Sequence, residues 1–110
     1  MRNYVQPGDV VPLTAPYAVA AGAGLLVGSI FAVALSAAAN GAAVEGKRTG
    51  VFDLAKATGE AWTQGAKLYW NNTNKNLTTT AAGNTFVAVA ARAEVSGAVT
   101  GRALLPGIFV

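Results

Sequence analysis

Neither cysteine nor histidine occurs anywhere in this 110-residue chain, and charged residues make up only 12% of it. Without thiols there is no disulfide framework and no thiolate metal site, and the redox compartment leaves no mark. Without imidazole the usual general base near neutral pH is missing, which excludes Ser-His and Cys-His nucleophile pairs and His-ligated zinc. Aromatics are also few, at 8%, and much of the 53% hydrophobic content is alanine. The length fits a single domain over residues 1–110. Its core would be thin, so association with copies or docking on a large partner would supply the missing burial. The net charge is +3, but the eight Lys and Arg stand singly except for Lys47 and Arg48. That is mild basicity and no nucleic-acid stripe.

No charge falls between Asp9 and Glu45, and the run from Val19 to Ala39 is long enough to cross a bilayer as a helix. Gly24 and Gly28 even have the spacing of a helix-packing face. The flanks oppose a span, since Asp9 and Glu45 bracket the stretch and no basic cluster sits at either end. A secretory signal is equally unsupported: Pro7, Asp9, Pro12 and Pro16 precede the apolar run and Arg2 alone stands as a basic residue. Gly22, Gly24 and Gly28 also divide the run, leaving strand-length apolar pieces around Gly28-Ser29. Two buried strands joined at a glycine are the expectation.

Residues 1–8 read as an extended arm, 9–105 as a β core and 106–110 as a C-terminal tail. In the core, Asp9 to Thr14 carries Pro12, which confines it to an edge or a strand end. Asn40-Gly41 marks a turn before Ala43 to Lys47, and Val51 to Leu54 reads as a short strand. Ala66 to Trp70, the polar link Asn71 to Asn76 and the return over Leu77 to Thr80 form the clearest hairpin. Over Thr85 to Ala91 the alternation places Phe86, Ala88 and Ala90 on one face and Val87 and Val89 on the other. Arg102 to Leu105 is the last strand. Short strands separated by glycine turns predict an all-β fold, a small β-sandwich or β-barrel. One weak echo, residues 49–54 against 100–105, is too short to be a repeat.

Gly41 to Arg48 matches the phosphate-binding pattern G-x-x-x-x-G-K but has Arg48 where Ser or Thr must hold magnesium, and Thr49-Gly50 follows where a helix should begin. A turn with a solvated basic tip is the better account. The carboxylates Asp9, Glu45, Asp53, Glu60 and Glu94 lie far apart and suggest surface charges. Asn71-Asn72-Thr73 and Asn76-Leu77-Thr78 fit the glycosylation pattern but are better explained as turn residues. Trp62, Tyr69 and Trp70 could stack bases or sugars, yet core packing is favoured because so few other large residues exist. Tyr4, Tyr17 and Phe109, near the ends, are expected to anchor to neighbouring chains.

The order of several segments resembles the tailed-phage capsid decoration (cement) proteins, a family that sometimes carries a misleading recombinase label. They are Asn3-Tyr4-Val5-Gln6-Pro7-Gly8-Asp9, Leu13-Thr14-Ala15-Pro16-Tyr17, Gly24 to Val33, Gly50 to Lys56, Trp62 to Trp70 and Asn84 to Ala90. The resemblance implies a β-rich protein on the outside of an assembled icosahedral head, bracing capsomer junctions, with no catalysis and no cofactor. Its partner would be the major capsid protein, its unit a homo-oligomer (a trimer, with a dimer as the alternative), its location the virion after synthesis in the bacterial cytoplasm. Neither nucleic acid nor membrane is an expected partner. Contacts to the capsid or between subunits are expected at Arg2, Tyr4, Val5, Pro7, Tyr17, Ile108, Phe109 and Val110, in peripheral sticky segments. The rival readings are a small membrane protein with one span at 19–39 and a DNA-binding recombination accessory factor.

Overall fold

A computed structural model describes residues 10–107, which form nine strands and no helix. The first sheet has the order β1-β4-β3-β2, made of β1 (Val10–Thr14), β2 (Gly24–Val27), β3 (Ile30–Ala34) and β4 (Ala43–Lys47). The second has the order β5-β9-β8-β6-β7, made of β5 (Thr49–Ala55), β6 (Lys67–Asn71), β7 (Asn76–Thr78), β8 (Thr85–Ala90) and β9 (Thr100–Pro106). All neighbours within the two sheets are antiparallel. The chain is an all-β sandwich of two sheets, as its short glycine-bounded strands predict. The expected arm over residues 1–8 lies outside the described residues.

The apolar run that could have spanned a membrane is instead β2 and β3, joined by Gly28-Ser29 with Gly28 at φ 58°. Among the described residues no helix is long and apolar enough to cross a membrane. Pro12 lies on β1, which pairs only with β4 and so presents the edge that a residue without an N–H tolerates. The near phosphate-binding motif runs from a turn at Gly41 into β4, so Lys47 ends a strand and starts no helix.

The second sheet repeats the first. Removing β7 leaves β5-β9-β8-β6, the order of β1-β4-β3-β2, and the registers coincide. Leu13 faces Val44 as Leu54 faces Gly101, Leu25 faces Ala32 as Leu68 faces Ala88, and Ala34 faces Gly46 as Ala90 faces Ala103. The connections repeat too. Val19 and Ala38 exchange backbone hydrogen bonds of 2.9 and 3.0 Å, and Trp62 and Glu94 exchange bonds of 2.9 and 3.1 Å. The N–H of Gly22 reaches Ala34 O at 2.8 Å, and that of Gly65 reaches Ala90 O at 2.8 Å. Both glycines sit in left-handed turns, at φ 82° and 85°, a conformation that side chains disfavour. The echo between residues 49–54 and 100–105 is unrelated to this duplication: those segments are antiparallel partners in β5 and β9.

Two features distinguish the halves. Beyond β6 the second half adds the short strand β7, and β8 carries a bulge at Val87, the residue skipped between the pairs Leu68–Ala88 and Tyr69–Phe86. The extra residue inverts the alternation. Val87 is buried, and Phe86, expected beside Ala88 and Ala90, turns to the opposite face and packs on Tyr69 with ring centroids 5.7 Å apart.

Each half curls over its own apolar cluster. Leu13, Ala15, Val19, Leu25, Ala32, Ala34 and Val44 fill the first, while Leu54, Trp62, Leu68, Ala88, Ala90 and Ala103 fill the second. The halves join because Leu26, Phe31 and Val33, on the outer face of the first sheet, enter the second cluster. Phe31 meets Trp70 there at 5.1 Å, a tilted aromatic contact worth about 1 kcal/mol beyond the area it buries. Gly24 makes room, since a Cβ on it would come within 2.9 Å of Phe31 and 3.0 Å of Trp70. Arg48 is the single residue between β4 and β5, and its guanidinium donates to Gly107 O after β9.

Candidate docking face

The polar groups of the described residues are largely committed to holding the fold. The Arg102 guanidinium donates to both Asp53 oxygens, at 3.0 and 3.3 Å, across β5 and β9. Glu94 Oε2 accepts from Arg92 at 2.8 Å and from the Arg102 backbone N–H at 3.0 Å. These contacts hold both carboxyls below the usual range, chiefly through the hydrogen bonds from Arg102 to Asp53 and from Arg92 to Glu94. Glu60 accepts from the Thr78 hydroxyl at 2.6 Å and from the Thr79 N–H at 2.8 Å. Burial alone would raise its pKa, but the threonine hydrogen bonds outweigh burial and lower it. Glu60 also borders a polar groove of about 550 Å³ lined by Asn71, Asn72, Asn74, Thr80 and Asn84. Lys56 is buried, its ammonium 2.9 Å from Ala57 O and 3.5 Å from the carbonyls of Ser96 and Ala98.

Trp62 and Trp70 are core residues, as expected, while Tyr69 lies half-buried on the outer face of the second sheet. Tyr17 is half-buried. Its hydroxyl donates to Gly24 O at 2.9 Å, and the Lys75 ammonium lies 4.2 Å from its ring centre, so it ties the β6–β7 turn to the first half. Burial pushes the Tyr17 hydroxyl pKa up. The other contact candidates, Arg2, Tyr4, Val5, Pro7, Ile108, Phe109 and Val110, lie outside the described residues.

A further apolar surface of the described residues is not fully legible in the sequence. On the outer face of the second sheet Val51 stands opposite Leu104, and Leu104 opposite Val89. The Tyr69–Phe86 pair continues the row. Val51 and Leu104 are 55% and 43% exposed; the Asp53–Arg102 pair borders them, and Lys67, opposite Val89, stands at the other end of their row. Alternation in residues 51–53 and 102–104 carried part of this signal, but the bulge in β8 concealed Phe86. Val95 and Val99, 73% and 68% exposed, add an apolar tip on the β8–β9 connection.

Such a molecule offers surfaces: an apolar row, an apolar tip and carboxylates engaged in the scaffold. Comparison with known proteins agrees with this. No curated protein and no solved structure matched the chain. The family model described as phage cement protein matches residues 5–105, nearly all of the sequence. The chain therefore belongs to the phage cement protein family, whose role is structural and associated with the phage capsid.

Proposed function

We propose that this protein binds the outer surface of the assembled icosahedral head and braces the junctions between capsomers, with the major capsid protein as partner and without catalysis. The observation that carries this reading is the family match across residues 5–105. The absence of histidine and cysteine, and the engagement of Asp53, Glu60 and Glu94 by neighbouring donors, support a passive role. In this mechanism a preformed β scaffold offers apolar and backbone contacts that are individually weak. Repetition over a symmetric lattice makes them collectively strong. The terminal segments Arg2 to Asp9 and Ile108 to Val110 reach the neighbours, together with Tyr17 and the Val95–Val99 tip. The unit is a homo-oligomer, a trimer or else a dimer, made in the bacterial cytoplasm and carried on the virion exterior.

The test adds purified protein to heads assembled without it. Cryo-electron microscopy should show ordered density on the outer surface, and decorated heads should release DNA at a higher temperature than bare ones. Removal of residues 1–9 or 108–110 should reduce occupancy while the circular dichroism spectrum stays the same. Heads left bare at saturating protein refute the proposal, and steeply salt-dependent DNA binding would favour a recombination accessory role instead.

A further inference from the structure

The outer face of the second sheet repeats, position for position, a face that the first sheet buries. Leu26, Phe31 and Val33 project from the first half and are covered by the concave side of the second. Their equivalents are Tyr69, Phe86 and Val89, which no part of residues 10–107 covers in the same way; all three are half-buried, beside the exposed Leu104 and Val51. The receiving surface is also duplicated. Trp70 lines it in the second half, and Val27, at the matching position, lines it in the first, next to Ile30. Val27 and Ile30 are only half-buried, so this concave mouth is incompletely filled.

We propose that copies of this chain associate head to tail. The Tyr69–Phe86–Val89–Leu104 face of one copy seats on the Val27–Ile30 mouth of the next, repeating between chains the contact that joins the halves within one. Side-chain sizes fit this arrangement in reverse order. Inside the chain the small Gly24 lies against the large Trp70. Between chains the equivalent pair is Lys67 against Val27, with the large residue on the projecting face and the smaller one receiving it. The Lys67 stem covers Val27 while its ammonium stays at the solvated rim. Because two different patches meet, the association is heterologous and closes into a ring or continues as a filament. A ring of three satisfies the trimer proposed above. The inference rests on the internal duplication and is independent of head binding, so free protein tests it separately.

The experiment is sedimentation velocity of the full-length chain over a dilution series. The wild type should sediment as an oligomer. Leu104→Glu on the projecting face and Ile30→Glu at the mouth should each weaken self-association by at least about tenfold, because each buries an unpaired charge in the contact. An equimolar mixture of the two should form a one-to-one dimer that grows no further, since each retains the patch that the other lacks. Val51→Glu and Val27→Glu replace the first pair if circular dichroism reports a disturbed fold. A wild type that stays monomeric, variants that assemble like the wild type, or a mixture that remains monomeric overturns the proposal.

Discussion

A Cβ added at Gly101 would lie within 2.6 Å of Trp62 Cη2, whereas the equivalent positions in the first half hold Val44 and Val19. One half fills this space with a large and a null side chain, the other with two of middle size. Gly101→Val alone should therefore cost about 3 kcal/mol by overpacking, and Trp62→Val alone about 4 kcal/mol by leaving a cavity. The double variant should be more stable than their sum by at least about 1 kcal/mol, measured by urea denaturation. The buried Trp62 indole N–H has no hydrogen-bond partner among the described residues, so the exchange forfeits no hydrogen bond. Lys56 occupies the position of Ala15 and anchors the 96–98 turn through carbonyls. Lys56→Met should cost about 2 kcal/mol and speed amide exchange in that turn, because the carbonyls lose their donor. Glu60 titrates below its ordinary value when folded, so its contribution is present above pH 4.5 and vanishes as pH falls through the lowered folded value. Glu60→Gln should flatten the acid limb of the stability curve relative to the wild type, as read from melting temperatures at successive pH values.

At the scale of elements, β7 is three residues long and holds an edge, yet its Leu77 is fully buried beneath the second half. Leu77→Ala should cost about 3 kcal/mol through the cavity it leaves. Hydrogen exchange should accelerate first in β7 and the 71–76 turn, and much less in the central strands β8 and β9. Most strands were legible in the sequence because glycine turns isolate short apolar runs, and Pro12 marked an edge for lack of an N–H. The duplication was not legible. Its identities are scattered, as in Leu25 with Leu68 or Ala32-Val33-Ala34 with Ala88-Val89-Ala90, and the Trp62–Gly101 exchange conserves volume while hiding likeness. The apolar row was missed for a related reason: a one-residue bulge at Val87 reverses every side chain before it, and nothing local announces a bulge. Tyr17 is a further case: its ring near the start of the chain suggests an outward anchor, and no pattern in the sequence reveals that Gly24 and Lys75 also engage it within the chain.

At the scale of the molecule, the two sheets share the apolar contact that Leu26, Phe31 and Val33 make with the second cluster, centred on Phe31 and Trp70, and should unfold together. Both tryptophans belong to the second half, so their fluorescence reports on that half while far-ultraviolet circular dichroism reports on both. The two urea transitions should coincide, and Phe31→Ala should move both midpoints down equally; separated transitions would mean that the halves fold independently. The passage from β4 to β5 through Arg48 alone has a mechanical consequence. From Ala43 to Ala55 the backbone is nearly one continuous strand, flanked in one sheet by β1 and β3 and in the other by β9. Tension along that strand loads these ladders in shear, so their hydrogen bonds must yield together and do not open one at a time. A protein fixed across two neighbours at the ends of this line would act as a stiff tie, resisting their separation with the whole ladder until it fails.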